Sequence, residues 1–134
     1  MNRLSDKEAI DLLKHGDILE LGQQANKIRQ EKHPGNTVTF IVDRNINYTN
    51  VCLNECRFCA FFRRENHKDA YLLPIETILQ KVKETQEAGG TQIMLQGGLH
   101  PSLPFEYYLN MINTIKTAFP DIVIHSFSPA EILH

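Results

Sequence analysis

Gly89-Gly-Thr-Gln-Ile-Met-Leu-Gln-Gly-Gly-Leu-His-Pro101 is the stretch that decides the fold. Its apolar run, Thr91–Gln96, is short, bounded by glycine pairs and flanked by helical patterns, so it reads as a buried strand. On its N-terminal side Pro74 can occupy the first turn of a helix. Ile75, Ile78, Leu79 and Val82 follow at helical spacing until Gly89-Gly90 stops the run. On the other side a helix is expected over Pro104–Phe119, with Phe105, Tyr108, Leu109, Ile112 and Ile115 on its buried face. Pro120-Asp121 turns the chain into a third strand, Ile122–Phe127, and Ser128 with Glu131 marks the cap of one more helix. Strands alternating with helices predict right-handed βαβ units and a parallel sheet, an α/β fold.

Upstream, the β-branched run Thr37–Val42 reads as a strand and Asn45–Thr49 as another short one. The N-terminal residues are helical in pattern. Ser5 and Glu8 form a capping box, Gly16 ends the first helix, and Asp17 caps a second running to about Glu31. Leu21, Ala25 and Ile28 share a face of the second helix, and His33-Pro34-Gly35-Asn36 breaks it. The expected organisation is a helical lead-in over residues 1–36 and the first βα units of a larger sheet over 37–134. No repeat or low-complexity tract interrupts it. Three core strands are few for a parallel barrel, which takes about 200 residues or more, so an N-terminal portion of a longer fold is expected.

Among 134 residues the formal charge is −2, and no basic block supports binding to nucleic acid or an acidic membrane. No stretch approaches the roughly 18 apolar residues of a membrane span, and the first residues lack the apolar core of a signal peptide. The cytoplasm is the expected compartment. All three cysteines fall between positions 52 and 59, whereas a secreted disulfide framework spreads an even number along the chain. A metal or cluster site in a reducing compartment follows.

Cys52-x-x-x-Cys56-x-x-Cys59 comes directly after a predicted strand. Thiolates are the ligands of iron–sulfur clusters, and a cubane usually takes four. Three leave one iron free for a substrate, as a cluster used for chemistry requires. The competing reading is a structural Cys₃His zinc site completed by His67 or His100, although zinc sites more often use paired Cys-x-x-Cys arms. Gln96-Gly97-Gly98-Leu99-His100-Pro101 lies at the end of the next strand, where parallel folds place their sites and where glycine lets backbone approach a ligand. At the end of the third strand, Ser126, Ser128 and Glu131 either face the same site or simply cap a helix. His125 reads equally as a core histidine or a substrate contact.

The cysteine spacing, with Phe58 just before the third cysteine, resembles the signature loop of the radical S-adenosylmethionine superfamily. That resemblance implies a partial TIM-type β/α barrel and a 4Fe-4S cluster on Cys52, Cys56 and Cys59. It also implies S-adenosyl-L-methionine chelated to the unique iron, with cofactor contacts at Phe58, Gln96, Gly97, Gly98 and Ser126. Phe58 would lie beside the adenine and the Gly-Gly segment would meet the methionine amino group. No side chain is assigned a catalytic role.

Longer strings narrow the resemblance. Asp43–Cys52, Phe58-Cys-Ala-Phe61, Leu95–Pro101 and His125-Ser-Phe-Ser-Pro129 together are similar to the cyclic dehypoxanthine futalosine synthase family of menaquinone biosynthesis. This implies a 5′-deoxyadenosyl radical that takes the ribose C4′ hydrogen of dehypoxanthine futalosine, and an electron donor such as flavodoxin or ferredoxin. Aminofutalosine synthases and the radical halves of F₀ synthase share the cysteine loop and the Gly-Gly-Leu-His-Pro segment and are the alternatives. Asn47, Tyr48 and Tyr71 are candidates for placing the substrate by location, with packing the competing role for either tyrosine. The missing later strands imply that this chain alone is inactive.

Overall fold

The computed structural model describes residues 3–134. One compact unit ends at Thr39 and the other is Phe40–His134. The first holds two helices, α1 (Asp6–His15) and α2 (Ile18–Lys32). Ser5 and Glu8 cap α1 reciprocally, and Asp17 accepts from the amides of Leu19 and Glu20 at the start of α2. Neither helix buries a residue, so among the described residues this unit shows no core of its own.

The second unit runs β1 (Asp43–Asn47), α3 (Ile75–Glu87), β2 (Gln92–Gln96), α4 (Phe105–Ala118), β3 (Val123–Ser126) and the short α5 (Pro129–Leu133). The three strands form a parallel sheet in the order β1-β2-β3. Ile46 pairs with Leu95 and Leu95 with Ser126, so the strand ends Asn47, Gln96 and Ser126 sit along one rim. Ile78 and Val82 of α3 and Met111 and Ile115 of α4 pack with Ile46, Ile93, Leu95 and Ile122. Each such side chain is worth roughly 1.5–3 kcal/mol of burial, which makes this the structural heart of the unit. Because side chains alternate along a strand, Asn45, Asn47, Met94, Gln96 and His125 fall on the other face of the sheet. That face is polar.

Four expectations need correcting. Thr37–Val42 is not a strand: it is irregular, and Phe40 is 88% exposed. β-branched residues suit a strand only where a neighbour pairs with them. The one link to the sheet from this segment is the Val42 carbonyl, which accepts from Thr91 N–H. In α4 the buried stripe is Tyr108, Met111, Ile112 and Ile115, while Phe105 and Leu109 stay largely exposed. A helix whose apolar residues span more than one face can be read in two rotations, and the sheet selects one. Pro74 sits at the N-cap of α3, one residue outside the helix. His125 is exposed on the polar face of β3 and is therefore no core histidine.

Candidate functional site

The site grows from the way β1 leaves the sheet. Tyr48 continues the ladder by donating its N–H to Gln96 O, and Gly98 donates to Thr49 O. The two chains stay together beyond the sheet, since Leu53 donates to Leu99 O and the Leu99 N–H reaches Cys52 Sγ at 3.3 Å. The cysteine loop is thus zipped along the Gly97–Leu99 segment. Its other arm comes back to lie parallel to its start at Val51: Cys52 N–H donates to Arg63 O and Arg63 N–H to Asn50 O. At the tip, Cys59 N–H closes a turn onto Cys56 O, placing both thiols on one short bend.

The two glycines owe their identity to this close approach. Neither has a positive φ. A methyl group on Gly97 would lie 2.3 Å from Cζ of Tyr48, and one on Gly98 would lie 2.1 Å from Val51 O and 2.7 Å from Cys52 Cβ. Space, not backbone freedom, demands glycine here. Tyr48 is fully buried and meets Tyr107, Tyr108 and Phe127 edge-on or tilted, with centroids 6.0–6.4 Å away. Its hydroxyl donates to Glu131 Oε1 at 2.6 Å. Burial, then that hydrogen bond, pushes the phenol far above its ordinary range. Tyr48 is therefore a packing residue.

A cleft of about 290 Å³ opens on the polar face and is lined by Cys52, Cys56, Cys59, Gln96, Gly97 and Gly98 together with Asn45, Asn47, Thr49, Asn50, Asn54, Phe61, Phe62 and Tyr71. Six of the eight site residues read from the sequence meet in it. Phe58 stands 98% exposed at the loop tip and Ser126 is half-buried on the Leu95 side of β3; neither lines the cleft. Asn50 was not singled out. Its amide donates to Asp69 O at 2.9 Å and its oxygen accepts from Tyr71 N–H at 2.8 Å, pinning the wall that carries Tyr71. Thr49 Oγ1 helps by donating to Tyr71 O at 2.7 Å. The polar alternation at Asn45, Asn47 and Thr49, which a strand sends to one face, signals those three residues but not Asn50, which falls out of step with it.

The donor set suits an iron–sulfur group. All three thiols are free and border one cleft, and a backbone N–H already points at one sulfur, the kind of hydrogen bond that tunes the potential of such clusters. The thiols do not yet converge: among the described residues no three His, Cys, Asp or Glu side chains form a metal-binding group. His67 Nδ1 accepts from Asp69 N–H and His100 Nδ1 from Ser102 N–H, and neither ring lines the cleft.

Residues 46–133 match the Radical SAM superfamily. The chain belongs to that superfamily. Its parallel sheet and helices are accordingly part of a TIM-type barrel, and its kin are enzymes. One relative of this radical SAM chain, a cyclic dehypoxanthine futalosine synthase from Halalkalibacterium halodurans, is 46% identical over 97% of the chain and 35% of its own length. A second synthase of that name, from Streptomyces coelicolor, is 42% identical over 98% of the chain and 34% of its own length. A 5-amino-6-(D-ribitylamino)uracil–L-tyrosine 4-hydroxyphenyl transferase from Methanopyrus kandleri is 52% identical over 73% of the chain and 27% of its own length. The chain spans between about a quarter and about a third of the length of these curated relatives. Among the described residues no helix is long and apolar enough to cross a membrane.

Proposed function

We propose that this protein converts dehypoxanthine futalosine to cyclic dehypoxanthine futalosine for menaquinone biosynthesis, with Cys52, Cys56 and Cys59 holding a 4Fe-4S cluster and S-adenosyl-L-methionine as its partner. The supporting observation is the meeting of three free thiols with Gln96-Gly97-Gly98 in one cleft. The chain that carries it is 46% identical to a synthase of that name along nearly its whole length. When bound, the cluster supplies the electron that splits the sulfonium and so produces the radical that removes the ribose C4′ hydrogen.

The chain's own residues bind and orient. Gly97 and Gly98 bring backbone to the floor of the cleft for the methionine end of the cofactor. Phe58, free at the loop tip, takes the adenine, and Ser126 joins the cofactor contacts on the resemblance alone. Asn45, Asn47 and Gln96 offer donors and acceptors without charge, which suits the hydroxyls of a ribosyl substrate. Holding C4′ against the reacting carbon and keeping water away supplies much of the rate. The division we read is a helical lead-in over residues 1–36 followed by this βα portion over 37–134. An electron donor of the flavodoxin or ferredoxin class and a cytoplasmic setting complete the reading.

A second reading has its own support, the 52% identity to the tyrosine 4-hydroxyphenyl transferase. The two part on substrate. Purified full-length protein, reconstituted anaerobically with iron and sulfide, is incubated with S-adenosylmethionine, reductant and either dehypoxanthine futalosine or 5-amino-6-(D-ribitylamino)uracil with L-tyrosine. Deoxyadenosine with a cyclised futalosine product is expected. Turnover of the uracil–tyrosine pair alone moves the assignment to the transferase, and a product retaining the adenosyl unit moves it to an aminofutalosine synthase. A colourless protein holding one zinc ends the radical reading altogether.

A further inference from the structure

Glu131 does more than cap a helix. Its Oε2 accepts from Ser128 N–H at 2.7 Å, closing the capping box of α5. Its Oε1 accepts from two groups far away in sequence, Tyr48 Oη–H at 2.6 Å and Gly97 N–H at 3.0 Å. One carboxylate therefore ties together the ends of all three strands. Hydrogen bonds to an ionised acceptor are about twice as strong as neutral ones, so this is the firmest joint on the rim.

The backbone is bent to make that joint. Phe127, between β3 and Ser128, has φ 62, the left-handed region that costs a non-glycine residue roughly 1–2 kcal/mol. The bend is what brings Ser128 and Glu131 back over Gly97. Strain persists only where surrounding contacts hold it, and here they are the ring packing of Phe127 on Tyr48 and Tyr108 and its N–H bond to Leu95 O. A cap for a five-residue helix needs no such distortion.

From Gly97 the consequence runs straight to the cysteine loop. Gly98 is wedged against Val51 and Cys52, and Leu99 N–H donates to Cys52 Sγ. We propose that Glu131 is a positioning residue, which fixes the Gly97–Leu99 segment and through it the place and hydrogen bonding of Cys52 Sγ. The assignment rests on the cluster reading only in saying what the sulfur is for. Hydrogen bonds to ligand sulfurs are among the levers that set a cluster's potential, so Glu131 tunes the cluster without touching it.

The test compares Glu131→Ala with Ser128→Ala, which weakens the same cap but leaves the Gly97 joint. In iron-free protein, hydrogen exchange at the Gly97 and Leu99 amides is expected to quicken roughly ten- to hundredfold in Glu131→Ala, the factor for losing one charge-assisted hydrogen bond. Ser128→Ala should leave both amides protected, and Glu131→Gln, which keeps a carbonyl oxygen for Gly97 and Tyr48, should restore most of the protection. After reconstitution with iron and sulfide, Glu131→Ala should show a more negative midpoint potential and an altered spectrum of the reduced cluster. Equal exchange and equal cluster spectra in Glu131→Ala and Ser128→Ala overturn the proposal. If Glu131→Ala does not fold, Tyr48→Phe is read instead: faster Gly97 exchange than in wild type supports the joint, and unchanged exchange refutes it. Failure to assemble any cluster defeats the cluster reading but leaves the exchange experiment decisive for Glu131.

Discussion

Gly97→Ala tests the claim that the glycine pair serves the protein's own packing. The new methyl carbon would sit 2.3, 2.6 and 2.8 Å from three atoms of the Tyr48 ring. That ring has nowhere to go: it is fully buried among three aromatic neighbours and its hydroxyl is held by Glu131. Overpacking of this kind costs about 1–3 kcal/mol. Displacing the ring also strains a hydrogen bond to a carboxylate, worth about 1.5–3 kcal/mol. A loss of roughly 2.5–6 kcal/mol is expected, a large part of the 5–15 kcal/mol that holds a typical domain together. Urea unfolding followed by circular dichroism measures it, with Tyr48→Leu as the second arm of a double-mutant cycle. The smaller side chain should make room, so the two changes should couple by more than about 1 kcal/mol. Gly89→Ala is the control, because Gly89 has φ 81 and open space around its Cα. Its cost should be backbone strain of roughly 1 kcal/mol with no coupling to Tyr48. A Gly97→Ala protein as stable as wild type would refute the packing account and leave ligand contact as the glycine's only role.

Replacing any one of Cys52, Cys56 or Cys59 by alanine should abolish the iron and sulfide retained after anaerobic reconstitution, with Cys56→Ala, exposed in the structure, leaving the unfolding midpoint within about 0.5 kcal/mol of wild type. Asn50→Ala should cost about 1–3 kcal/mol, because it removes two hydrogen bonds that hold residues 69–71, and limited proteolysis should then cut in that segment. Burial raises the phenols of Tyr48, Tyr107 and Tyr108 above their unfolded value of about 10, so the neutral forms stabilise the fold fully below that pH. Stability should therefore fall as pH rises beyond it, and Tyr48→Phe should make the fall shallower in alkaline unfolding titrations.

Local chemistry explains what could be read from the chain and what could not. The helix caps at Ser5, Asp17 and Ser128 involve residues two or three apart and stand in the structure as the sequence implies. The glycine-bounded strand at Thr91–Gln96 and the strand after Pro120 were similarly plain, because their punctuation is local. The run Thr37–Val42 misled because β-structure needs a partner that no local pattern can name. The cysteines were recognisable from spacing, but the wall opposite them was not. Asn50 acts on residues 19 and 21 positions away, and Glu131 meets Tyr48 across 83. The first pair meets only through the folding of the long connection between β1 and α3, the second only through the crossovers of the parallel sheet. The same holds for Gly97, whose place in the motif was obvious while its reason, the Tyr48 ring, was not.

The two pinned arms of the cysteine loop have a consequence for the order in which the protein matures. Cys52 is fastened to Arg63 on one side and to the β2 extension on the other, while Cys56 to Phe61 form a largely exposed tip with few ties beyond one turn. Local opening of such a tip breaks little of the native structure and is correspondingly cheap. On the proposed cluster reading, iron would be loaded by bringing Cys56 and Cys59, at this tip, toward a Cys52 already held by its hydrogen bonds. In a zinc finger, by contrast, metal and fold arrive together. On that reading maturation would be a local adjustment at the loop tip rather than a step coupled to folding, and iron-starved cells would hold the protein with its sheet and its Cys52 joint already formed.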